Sequence, residues 1–256
     1  MDSGAAPPVS FAEWASRHER LIVLAGLAFV AASGLLVTLR TGDRLMMPMP
    51  GVVSYILLLF IMWWAMMLAM MLPSAAPAIL IYAAMRRSMA AKSGRQQPLA
   101  LFVSGYVAIW TLFSAAAVIL QFTTRGSIVL TGMFALTSNL LGGALLLAAG
   151  AYQFTPWKSA CLRHCQSPFM YFARNWKKTA SGVFGLGLRH GLYCLGCCWV
   201  LMLLLFYGGV MELTWIIGLA SFVAAEKLLP AIGPLRHLAG AGLILWGAYL
   251  LAMEFT

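Results

Sequence analysis

The run FGLGLRHGLYCLGCCWVLMLLL, Phe184 to Leu205, carries one formal charge, Arg189, in an otherwise apolar background that holds one histidine and three cysteines. A stretch of about 17–25 such residues crosses the hydrocarbon core of a bilayer as an α-helix, because a helix satisfies its backbone N–H and C=O groups internally where water is absent. On that helix His190, Cys194 and Cys198 recur at i, i+4 and i+8, with Cys197 beside the same line. A lone cysteine in lipid reads as small, apolar packing. Three within five residues, with an imidazole one turn behind, read as a site that binds or reacts.

The surrounding chain is of the same kind. Of its 256 residues 62% are hydrophobic and 9% charged, whereas a soluble domain is about one-quarter charged. The sequence therefore predicts an all-α, polytopic transmembrane helical bundle. Its net charge of +10 sits in loops between apolar runs, which points to topology and an anionic lipid surface and away from nucleic acid.

Seven runs have the length of a span: Leu21 to Leu39, Val52 to Leu72, Leu99 to Leu120, Thr131 to Phe154, Phe184 to Leu205, Met211 to Leu229 and Leu238 to Met253. The last two are the shortest, so six or seven spans are expected. Residues 1–20 form a polar lead-in, and 21–256 a single transmembrane domain with long loops at 73–97 and 155–182. Leu21 to Leu39 exceeds a cleavable signal's apolar region and reads as the first span. Arg40, Arg44 and Arg125 fall on one side of the membrane, against the other fourteen of the seventeen Lys and Arg. The positive-inside rule then puts the N-terminus and both long loops in the cytoplasm and the C-terminus outside.

The second long loop holds CLRHC, with Cys161, His164 and Cys165. It continues into Phe169, Phe172 and Trp176 among Arg174, Lys177 and Lys178, a pattern suited to the membrane interface. The cytoplasm keeps thiols reduced, so both thiol groups point to metal or redox chemistry before structural disulfides. In the second span Met62, Met66 and Met70 recur at i, i+4 and i+8, flanked by Met67 and Met71, and Met46, Met47 and Met49 precede that span. Such a stripe is ordinary packing, but thioethers, like thiolates, are soft donors that favour Cu(I). Glu226 and Lys227 close the sixth span and read either as an interfacial pair snorkelling to water or, for Glu226, as a carboxylate that pairs with Arg189 or orients His190. No Ser-His-Asp set, carboxylate pair or phosphate-binding loop is present to argue for an enzyme.

Three segments together resemble a bacterial family of predicted metal-binding integral membrane proteins: AMMLAMMLPSAAP at Ala65 to Pro77, YQFTPWKSACLRHCQSP at Tyr152 to Pro168, and GLRHGLYCLGCCWVLMLLLFYGGVM at Gly187 to Met211. The ending EKLLP at Glu226 to Pro230 fits the same pattern. The resemblance implies a helical protein of the bacterial inner membrane with metal bound at these Cys and His residues. It leaves the activity open.

The resulting expectation is a multi-pass protein that binds a soft metal ion, Cu(I) before zinc, for transport, sensing or delivery to a membrane metalloenzyme. A soluble metal chaperone could serve as a further partner. Cys194, Cys197 and Cys198 are the primary ligands, His190 a ligand or proton acceptor, and Cys161, His164 and Cys165 a second donor set. The alternatives are a thiol oxidoreductase cycling Cys194-x-x-Cys197 against a quinone, and a scaffold subunit whose thiols only pack. At 1.5 Å per residue the Met66 to Met71 group lies roughly 21–29 Å along the second span, and the Cys194 to Cys198 group about 15–21 Å along the fifth. The second and fifth spans are therefore expected to pack together, with at least one of Met66, Met67, Met70 and Met71 facing the thiols.

Overall fold

The computed structural model describes residues 19–45, 51–93, 98–124, 138–229 and 233–254. Most of the expected lead-in and the Met46, Met47 and Met49 group lie outside these residues. Among the described residues there are ten helices and no strand: α1 Glu19–Leu45, α2 Val52–Ser74, α3 Ala76–Ser93, α4 Leu99–Thr124, α5 Asn139–Gln153, α6 Pro156–Gln166, α7 Pro168–Arg174, α8 Ala180–Gly208, α9 Leu213–Leu228 and α10 Gly233–Glu254.

Five of them, α1, α2, α4, α8 and α10, are long and apolar enough to cross a membrane. Their outer faces carry exposed Phe29, Leu112, Ile119, Leu238 and Leu245. Rows of large apolar side chains turned outward on helices of that length match contact with lipid tails. The two other expected spans are shorter here: α5 has 15 residues and α9 has 16. The part of the expected fourth span before Ser138 lies outside the described residues.

The two expected loops are largely helical. The first contains α3, which restarts at Ala76 directly after the end of α2. Pro73 lies inside α2, and the chain turns just after it, where the N–H of Ala75 donates to the carbonyls of Met71 and Leu72. The second contains α6 and α7. Thr155 caps α6 by accepting from the N–H of Lys158, with Pro156 in the first turn, where a missing N–H costs nothing.

α8 packs chiefly on α4, and α6 lies along another of its faces. Small residues set the α4–α8 approach: a Cβ added at Gly187 would lie 3.2 Å from the Cα of Gly105 and closer still to the Phe102 carbonyl. α5 and α10 meet the same way, Gly143 against the Gly247 carbonyl and Gly150 against that of Gly240. Glycine at these points lets backbones come together where lipid supplies no hydrophobic driving force. Gly242 of α10 faces open space instead.

The expected pairing of the second and fifth spans takes a different form. α2 and α8 meet at the rings of Trp63 and Phe206, 5.2 Å apart, while α4 and α9 each pack against both helices. Met66, Met67, Met70 and Met71 are all buried, turned into the protein.

Candidate metal centre

With 29 residues, α8 is about 44 Å long, longer than a hydrocarbon core of about 30 Å. Thr179 caps its N-terminus. The stripe read from the sequence faces inward along it: His190, Cys194, Cys197 and Cys198 are each no more than 2% exposed.

Cys194 is the hub. Its Sγ lies 3.0 Å from the Tyr106 hydroxyl of α4 and 3.0 Å from Lys227 Nζ of α9. Its carbonyl accepts the S–H groups of Cys197 and Cys198, each at 3.0 Å, the back-bonding open to short polar side chains on a helix. The Tyr106 hydroxyl also donates to the Met71 carbonyl at 3.0 Å. Lys227 Nζ touches Met71 Sδ at 3.8 Å and donates to Ser74 Oγ at 3.1 Å. The methionine helix thus reaches the thiols at Met71, through Lys227 and Tyr106. Met66, Met67 and Met70 belong to the packed core.

The loop cluster joins the same site. Cys165 on α6 lies within reach of the Cys194 and Cys197 thiols, and interaction with them, followed by burial, pushes its thiol well above the ordinary range. Cys161 lies where a Cβ on Gly196 would be 2.8 Å from its Sγ, so that glycine makes room for the thiol. Burial, then the nearby Cys197, push the Cys161 thiol up as well. Five free cysteines from two segments therefore gather around one turn of α8. Cys161 and Cys165 are half-buried and the other three fully so.

The histidines flank the group. His164 stacks on Tyr193 with ring centroids 4.1 Å apart and planes at 7°, and its Nδ1 lies 2.9 Å from the Ala160 carbonyl. His190 is enclosed by Phe102, Tyr106 and Phe172, with centroids 5.8 to 5.9 Å away. Its Nδ1 is buried and has no hydrogen-bond partner.

The carboxylate expectation is corrected. Glu226 pairs neither with Arg189 nor with His190: its Oε2 accepts from Lys158 Nζ at 2.8 Å, and the two side chains are 4% and 0% exposed. Gln166 donates to the Glu226 carbonyl, tying α6 to α9. Glu226 and Lys227 do not snorkel either. Both are buried, because α6 and α2 cover the end of α9 with Lys158 and Ser74 as their partners. Arg189 is exposed and faces a groove beside Tyr171 and Tyr193.

Sequence reasoning passed over Tyr106, Lys158 and Ser74, and took Lys227 for an interfacial cation. A lysine in an apolar helix too short to carry it clear of its neighbours was the available signal. Among the described residues no three Cys, His, Asp or Glu side chains are already set as a chelate. The S–H groups of Cys197 and Cys198 both point at the Cys194 carbonyl. The donors themselves suit a soft ion, being thiols with a thioether nearby and an aromatic shell that excludes water.

A family model described as a copper chaperone, PpoB2, matches residues 60–250. The chain belongs to the PpoB2 copper-chaperone family. That match begins within α2 and ends within α10, so it takes in the five cysteines, both flanking histidines, Met71, Lys158 and Lys227. No curated protein and no solved structure matches the chain.

Proposed function

We propose that the protein is a multi-pass carrier of Cu(I) in the bacterial inner membrane that accepts the ion at the cytoplasmic face and delivers it to a membrane metalloenzyme. One observation carries the reading: in a copper-chaperone family member, Cys161 and Cys165 of α6 meet Cys194, Cys197 and Cys198 of α8 around a single helical turn. The proposed ligands are these cysteines, with His190 and His164 beside them and Met71 adjoining. Zinc is the next candidate, since Cys and His donors also suit a tetrahedral site. Cargo would enter at half-buried Cys165 and Cys161 and pass to the buried thiols by ligand exchange, each new Cu–S bond forming as an old one breaks. The Lys227 ammonium offsets thiolate charge that would otherwise be uncompensated inside the protein.

Of the six or seven expected spans, the seven-span count puts the N-terminus in the cytoplasm and the C-terminus outside, as the fourteen-to-three distribution of basic residues requires. A C-terminal reporter that works only in the cytoplasm should stay silent; activity there reverses the orientation. The function is tested by metal analysis of the purified full-length protein beside a thiol count. Copper near one ion per chain, with all five thiols titrating once the copper is chelated away, is the expected result. Metal-free protein with a reversible Cys194–Cys197 disulfide would make it an oxidoreductase instead.

A further inference from the structure

A groove of about 650 Å³ opens among α6, α7 and α8. Arg163 of α6, Arg174 of α7 and Arg189 of α8 converge on it, and His164, Tyr171 and Tyr193 form much of the remaining wall. The three arginines are exposed, and no Asp or Glu lines the groove. The nearby carboxylate, Glu226, is taken by Lys158. Membrane topology needs basic residues on one side of the bilayer, but it does not need three helices to aim them into one concavity. Guanidinium forks match carboxylates and phosphates in pairs of parallel hydrogen bonds. The volume is that of a small-molecule site and exceeds what a single inorganic anion fills.

The position of the groove gives the ligand a second property. The stacked rings of His164 and Tyr193 stand in its wall, and the next residues in the chain are Cys165 and Cys194. No cysteine lines the groove itself, so a molecule held by the arginines comes nearest the thiols along the chain at His164 and Tyr193, one residue from Cys165 and Cys194.

We propose that the Arg163–Arg174–Arg189 groove binds the carboxylates of a small anionic thiol that carries Cu(I), and presents the ion to Cys165. The proposal rests on the copper reading above. In the transfer the Cu–S bond to the carrier breaks as a Cu–Sγ bond to Cys165 forms. The Cys165 proton passes to the departing carrier thiolate, and copper stays Cu(I), so no oxidant or reductant is needed.

The test uses full-length protein in nanodiscs of phosphatidylcholine. S-methylglutathione, which has the two carboxylates of glutathione but no free thiol, is the copper-free probe. Saturable binding to the wild type is expected, weakened at least about tenfold in Arg174→Ala/Arg189→Ala by loss of charge-assisted hydrogen bonds. Loading from Cu(I)–glutathione should slow by a similar factor in that variant. Loading from Cu(I)–cysteamine, a cationic thiol, and the final copper content should not change. Arg174→Lys/Arg189→Lys, which keeps the charge, should recover part of the rate and controls for misfolding. Equal probe binding in wild type and the alanine variant overturns the proposal, and so does equal slowing from both donors. Probe binding abolished by adding phosphatidylglycerol to the nanodisc also overturns it, by making the groove a lipid headgroup site. A wild type that takes copper from neither donor refutes the copper reading, while the copper-free arm still decides the groove.

Discussion

Cys194→Ser is expected to lower Cu(I) affinity by about a hundredfold or more while the protein still inserts and folds. Cys194 holds the centre of the cluster, with Tyr106 and Lys227 each 3.0 Å from its Sγ and both neighbouring thiols on its carbonyl. A serine hydroxyl is close in size and can keep hydrogen bonds to the phenol and the ammonium, so the local fold survives. What it cannot do is bind a soft ion, because Cu(I) prefers sulfur to a hard oxygen. Cys161→Ser, at the half-buried rim where cargo enters, should cost about tenfold, because the three buried thiols and Cys165 remain as sulfur donors. Competition against a Cu(I) chelator reads both. Unchanged affinity in Cys194→Ser would move the ion elsewhere in the protein.

The largest expected change in stability comes from Lys158→Met. The Lys158–Glu226 pair is sealed, with side chains 0% and 4% exposed and atoms 2.8 Å apart. Removing the ammonium leaves a buried carboxylate without its partner, since Glu226 Oε1 already lacks one. Such a change costs about 3–5 kcal/mol. Combining it with Glu226→Gln removes the orphaned charge and should recover most of the loss, because a buried ion pair and a neutral replacement of similar shape differ little. Thermal unfolding in detergent measures the cycle. A single Lys158→Met variant as stable as the wild type would show that the pair does not hold α6 against α9. Loss of α6 would in turn carry Cys161 and Cys165 away from α8, so copper affinity should fall in the single variant and return in the double one.

The sequence made the α8 stripe legible because both the apolar length of Phe184 to Leu205 and the i, i+4, i+8 spacing are local properties. The joining of CLRHC to CLGCC was readable only as two similar groups on one side of the membrane. What brings them together is Thr155 capping a helix that the sequence reads as loop, and Gly196 leaving room for Cys161. The charge network was hidden for a different reason. Lys158 and Glu226 are 68 residues apart, and Lys227 and Met71 are 156 apart. No periodicity links such pairs, and a Glu-Lys ending on an apolar helix normally reaches water. The methionine stripe was legible as a buried face, but spacing alone could not single out Met71, which meets the site through the packing of α9 against α2.

The central claim is that this sulfur cluster holds the copper. X-ray absorption at the copper edge of the copper-loaded, full-length protein tests it most directly. Cu(I) with sulfur neighbours is expected, and those neighbours should be lost when all five cysteines are replaced by serine. Nitrogen or oxygen neighbours alone, or sulfur neighbours that persist without any cysteine, would contradict it.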